Sequence, residues 1–154
     1  MEWKIAGPYT EQGKNATDLF DIPFDPEKTG KAKWLHHKGG GSTPWHVNLS
    51  GFGGFAGNDR VAYMRAKVWS PENQKARLDV TTDDGVKVFL NKKVVHKANI
   101  ARPPFHADKV NISLNKGWNT LLLKVTNFDG GWEAWARVVA PDGNRLRGLR
   151  IQAE

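Results

Sequence analysis

The sequence predicts an all-β protein, a β-sandwich. Three observations carry that expectation. From residue 58 onward, apolar and polar residues alternate with a period of two, segment after segment, as half-buried strands require. Turn residues punctuate those segments at short intervals, in "SPENQ", "NKGW", "FDGG" and "PDGN". No stretch sustains the 3.6-residue period of an amphipathic helix, and the chain is rich in breakers, with 16 glycines and 8 prolines.

The elements follow in order. "MEWKIAGPYT" opens with a strand-like segment, and the rest of the first third is irregular, with Leu19, Phe20, Ile22 and Phe24 expected to pin it onto a sheet. "HHKGGGSTPW" is expected to be flexible at its centre, and "FGGFAGN" is a glycine-rich turn. In "RVAYMRAKVW", Ala62, Met64, Ala66 and Val68 share the core face. "ARLDVTT" points Leu78 and Val80 inward, and "VKVFLN" points Val86, Val88 and Leu90 inward. "KVNISLN" offers Val110, Ile112 and Leu114, and "NTLLLKVTN" offers Leu121, Leu123 and Val125. "WEAWARVV" sets Ala134, Ala136 and Val138 against Trp135 and Arg137, and "RLRGLRI" is the last strand. No helix is expected.

The 154 residues suit a single domain, 1–154. A domain of this size buries roughly 70% of its unfolded surface, so it needs no cofactor to hold a core. The absence of cysteine excludes disulfides, thiolate metal sites and cysteine nucleophiles. No apolar run is long enough for a membrane span, and the first residues lack a signal-peptide pattern. A domain cut from a longer secreted or cell-surface protein is the expectation. The net charge of +7 is spread along the chain and favours acidic partners. Seven tryptophans exceed the needs of a core this size and suit stacking on sugar rings.

Three runs, "DDGVKVFLNKKVVH", "LNKGWNTLLLKVTN" and "GGWEAWARV", resemble in that order the galactose-binding-domain-like modules attached to bacterial glycoside hydrolases and polysaccharide lyases. "WKIAGPY" and "LFDIPFDPEK" resemble the first strand and loop of the same domains, so the resemblance covers nearly the whole chain. The Asp-Asp-Gly-Val segment also resembles the sugar-binding domains of the anthrax-protective-antigen type. The resemblance implies a β-sandwich of the jelly-roll, galactose-binding-domain-like kind, and a non-catalytic carbohydrate-binding module that binds a polysaccharide and works beside a linked catalytic domain. The competing expectation is a structural sandwich that packs against neighbouring domains or another copy.

Candidate residues follow. In antigen-type lectin domains two adjacent aspartates hold Ca²⁺, so Asp83 and Asp84 are the candidate metal ligands, with Asn99 and Asp129 as further oxygen donors. Two carboxylates are too few for Ca²⁺ by themselves, and Asp-Gly equally marks a hairpin turn. Asp84, His96, Asn99, Arg102, Asp129 and Trp132 form the candidate sugar site on the rim; the alternative is that Trp132 starts a core strand and the polar groups cap turns. A second candidate is an outward aromatic and basic face made of Tyr63, Arg65, Phe89, Trp135 and Arg137, suited to an acidic polysaccharide unless the first third covers it. His36, His37 and His46 read as loop histidines. No serine-hydrolase elbow, zinc-protease motif or phosphate loop occurs, and no motif of a nucleic-acid-binding β-fold accompanies the positive charge.

Overall fold

The computed structural model describes residues 1–39 and 42–153. Gly40 and Gly41, the centre of the run expected to be flexible, lie outside the described residues, as does Glu154. In chain order the elements are β1 (Glu2–Tyr9), α1 (Ala16–Leu19), α2 (Asp25–Lys28), β2 (Leu35–Lys38), β3 (His46–Asn48), β4 (Arg60–Ser70), β5 (Gln74–Asp83), β6 (Val86–Leu90), β7 (Lys93–Ala98), β8 (Asp108–Leu114), β9 (Gly117–Asn127), β10 (Glu133–Val139) and β11 (Arg150–Gln152). The expectation of no helix is corrected by α1 and α2, each a single turn and so too short to show a period. Asn15 starts α1 with a capping box: its side chain accepts from the Asp18 amide at 3.0 Å, and the Asp18 carboxylate accepts from the Asn15 amide at 3.2 Å. Among the described residues no helix is long and apolar enough to cross a membrane.

Two antiparallel sheets face each other. The larger runs β2-β1-β4-β9-β6-β7, with β11 also paired to β4, and the smaller runs β3-β10-β5-β8. The expected sandwich is what the chain forms. Its inward residues are those the alternation marks: Ala62, Met64, Ala66 and Val68 from β4 meet Leu78 and Val80 from β5 and Ala134 and Ala136 from β10. Trp3, Ile5, Phe55 and Trp132 complete this core.

The segment 81–90 departs from the expected hairpin. β5 belongs to the smaller sheet and β6 to the larger, so Asp83-Asp84-Gly85 is a corner where the chain changes sheets. Both strands look into one core, so the alternation continues across the corner and imitates a hairpin. The Asp83–Asp84 peptide bond is cis. Gly85 is required there: a Cβ would sit 2.6 Å from Thr126 Oγ1 and 2.9 Å from the Ala98 carbonyl oxygen.

The outer face of the larger sheet is covered. Ile22, Phe24, Ala32 and Trp34 from the first third pack onto Ala6, Val61, Tyr63 and Leu122, with Leu19 buried among them. Beneath them Lys124, fully buried, places its Nζ 2.9 Å from Glu27 Oε1 and donates to the Ile22 carbonyl at 2.6 Å. The Tyr63 hydroxyl donates to the same carboxylate at 2.5 Å. Burial holds the Lys124 amine below its ordinary pKa, and burial with the Glu27 contact pushes the Tyr63 phenol far up.

The single aromatic and basic face therefore needs correcting. Tyr63, Arg65 and Phe89 lie on the larger sheet under or beside this cover, whereas Trp135 and Arg137 lie on the outer face of the smaller sheet. Arg65 sits over the Trp34 ring at 4.1 Å and donates to the Gly30 carbonyl at 3.1 Å. With Phe89, Pro26, Lys28 and Lys92 it borders a basin of about 660 Å³ beside α2.

Candidate functional site

The corner between the sheets is built around Asp84, which is 6% exposed. Its Oδ1 accepts from the Arg102 amide at 2.8 Å and its Oδ2 from the Phe128 amide at 2.8 Å. One carboxylate thus ties down two loops, 99–107 and 128–132. Its backbone carbonyl accepts from the Thr82 hydroxyl at 2.6 Å and from Arg102 Nε at 3.3 Å. Buried backbone N–H groups must find acceptors, and an ionised carboxylate is a strong one.

Asp83, the neighbouring residue, turns the other way, onto the outer face of the smaller sheet opposite Glu133. Burial pushes its pKa up to about 6, helped by the negative charges of Asp84, Glu133 and Asp129. Gly131 lets the second loop close over it, since a Cβ there would lie 2.8 Å from Asp83 Oδ2. Asn127 lies at the end of β9, just before the Phe128 amide that Asp84 grips. Its Nδ2 donates to the Gly57 carbonyl at 2.7 Å, while its Oδ1 is buried with no hydrogen-bond partner. A buried acceptor without a partner is costly and calls for a donor.

The other rim residues have definite places. His96 Nε2 is 3.0 Å from Asp108 Oδ2, and Arg102 grips Asp108 through two nitrogens at 3.0 and 2.7 Å. Burial pushes the Asp108 carboxyl up, but the hydrogen bonds and charges of Arg102 and His96 outweigh it and hold the group below the usual range. His96 and Arg102 thus brace the first loop. Asn99 donates to the Thr17 carbonyl at 3.1 Å and ties that loop to the first third. Asp129 is exposed at the tip of the second loop. Trp132 is corrected as a sugar platform: it is 1% exposed and packs against Phe55, because it shares the inward parity of Ala134 and Ala136. His36 and His37 lie in β2 and His46 in β3, so they are strand rather than loop residues.

Beside the corner, the outer face of the smaller sheet carries a concavity of about 460 Å³. Thr81, Trp135, Asp79 and Arg137 form its floor, with Trp45 on one side and Phe105 on the other. His46 stacks on the Trp135 ring at 4.2 Å and bonds to Glu133 at 2.9 Å. Asp79 pairs with Arg77 at 2.6 Å and Arg137 at 3.4 Å. Asn127, Glu133, Phe105 and Thr81 were not singled out from sequence. Thr81 and Glu133 share the outward parity of Trp135, which is the signal that could have found them.

Among the described residues no group of three or more His, Asp or Glu side chains is set to hold a metal ion. The acids at the corner share one electrostatic field without converging on one point. The oxygen donors in this region are hard ones, the carboxylates of Asp83, Asp84 and Asp129. That donor type fits Ca²⁺, which also takes backbone carbonyls and water.

No family model matches the sequence, and no curated protein matches it. Solved structures match in fold. The A domain of epithelial adhesin 9 from Candida glabrata, in complex with Galβ1-4GlcNAc, has a TM-score of 0.54 at 10% identity, covering 98% of this chain and 88% of that one. A β-glucosidase from Kluyveromyces marxianus has a TM-score of 0.51 at 12% identity over 88% of this chain, which spans 14% of the enzyme's length. The same enzyme in complex with glucose gives 0.52 at 14% identity. At these identities the likeness establishes the fold, a β-sandwich shared with an adhesin domain and with part of a β-glucosidase.

Proposed function

We propose that this chain is a non-catalytic carbohydrate-binding module whose binding centre is the Asp83–Asp84 corner. One observation carries the reading: acidic residues gather at the corner, where Asp83 is pushed up to about 6 by burial and by the charges of Asp84, Glu133 and Asp129, while Asp84 fixes the two bordering loops. A bound Ca²⁺ would relieve that crowding of negative charge, and it would supply open coordination positions for sugar hydroxyls. Asp83 and Asp84 would hold it, with Asp129 at the loop tip adding negative charge. The adhesin domain of the same fold, in complex with Galβ1-4GlcNAc, supports a sugar as ligand.

The reading includes a polysaccharide ligand, a secreted or cell-surface location, and a linked carbohydrate-active enzyme whose effective concentration on its substrate the module raises. The net charge of +7 makes acidic glycans the first class to test. Affinity electrophoresis on neutral and acidic polysaccharides, with Ca²⁺ or with chelator, tests it. Retardation on one class, abolished by chelator and by Asp83→Asn, is expected. Unchanged mobility on every glycan, together with a tight oligomer in sedimentation, would favour the assembly reading instead.

A further inference from the structure

We propose that the corner is one end of a groove that binds an extended oligosaccharide along the strands, not a single terminal sugar. This inference rests on the proposed function and deepens it.

Strand register is the first ground. Across β5 and β10, Asp83 faces Glu133, Thr81 faces Trp135 and Asp79 faces Arg137, all on the outer face of the smaller sheet. The acid corner and the aromatic concavity are therefore successive levels of one surface. From Asp83 to Asp79 the extended strand covers roughly 14 Å, room for about three pyranose rings end to end. The sheet order places the side walls. Trp45 immediately precedes β3, the strand on one side of β10, and Phe105 precedes β8, the strand on the far side of β5. The floor between them runs parallel to the strands and leads to Asp83.

The chemistry of the lining suits sugars. Trp45, Trp135 and Phe105 offer apolar ring surface for the CH faces of pyranoses. Between them, Thr81, Asp79 and Arg137 offer a hydroxyl, an acceptor and a donor for ring hydroxyls. Phe105 is 79% exposed, and no packing in the fold accounts for it. The lining is also fixed in advance. His46 lies flat on Trp135 and is held by Glu133. The loop that carries Phe105 is anchored to Asp84 through the Arg102 amide.

Calorimetry with Ca²⁺ present tests the groove. The probes are galacturonic acid with its dimer, trimer and tetramer, and glucose with cello-oligosaccharides of the same lengths. In one series, affinity is expected to rise about tenfold from monomer to trimer and then level off. Phe105→Ala and Trp135→Ala are each expected to flatten that rise, and Phe105→Ala, at so exposed a site, cannot act by unfolding. Trp118→Ala, an exposed tryptophan on the other sheet, is expected to keep it. Asp83→Asn is expected to weaken every length alike. Equal affinity for monomer and trimer, or a rise that survives Phe105→Ala, would overturn the groove and leave the corner standing. No binding of any length in either series would overturn both.

Discussion

The outer faces of the two sheets carry similar kinds of residue and meet opposite ends. On the larger sheet, Tyr63, Leu122 and Lys124 are closed in by the first third of the chain, and the one full charge among them is neutralised internally by Glu27. On the smaller sheet, Trp135, Thr81, Asp79 and Arg137 stay open, with their charges paired across the surface. An aromatic residue beside a basic one is therefore no sign of a binding face in itself. What separates the two is whether a covering segment supplies apolar partners and a counter-charge.

The comparison can be broken by mutation. Trp132 and Trp135 sit three residues apart and belong to opposite worlds, one core and one surface. Trp132→Ala should cost about 3–5 kcal/mol, on the order of 10 °C in Tm, read by urea and thermal unfolding. Glu27→Gln leaves Lys124 buried without its carboxylate and should cost about 3 kcal/mol. Adding Lys124→Met should recover most of that loss. If Glu27→Gln left the urea midpoint unchanged, the cover would not be a second core.

Asp108→Asn should cost about 1–2 kcal/mol near neutral pH, because Arg102 and His96 both bond to that carboxylate. Its folded pKa lies below the ordinary 3.8, so its stabilisation is full above 3.8 and fades as pH falls through the folded value. The gap between wild type and variant should therefore narrow in strong acid; a gap that widened there would contradict the assigned ion pair. Trp135→Ala should be smallest, under about 1 kcal/mol, and should appear in sugar binding rather than in Tm.

Much of the fold was legible because a strand with one buried face must alternate, and the middles of β4, β5, β9 and β10 do so, with Ala62, Met64, Ala66, Leu78, Val80, Leu121, Leu123, Val125, Ala134 and Ala136 all inward. The partition into sheets was not legible at Asp83-Asp84-Gly85. A hairpin and a corner between facing sheets impose the same local pattern when both strands share one core. The cover on the larger sheet was hidden for a related reason: Lys124 reads as an outward charge, and only the distant Glu27 makes its burial tolerable. The candidate site was legible at Asp83 and Asp84, through a resemblance. Trp132 was misplaced although its parity with Ala134 pointed inward, and Asn127 carries no pattern until the loops are folded around it.

Asp84 grips Arg102 and Phe128 through their main-chain amides, so the grip does not depend on which side chains the loops carry. At position 128 any residue but proline can be held in this way, whereas Arg102 is also kept by its own side-chain bonds to Asp108. The loops can then diversify in length and chemistry while their roots stay fixed, as antigen-combining loops do on their frame. The corner is a natural place to graft new segments and screen for altered glycan choice, with Asp84 and the Arg102–Asp108 pair kept constant.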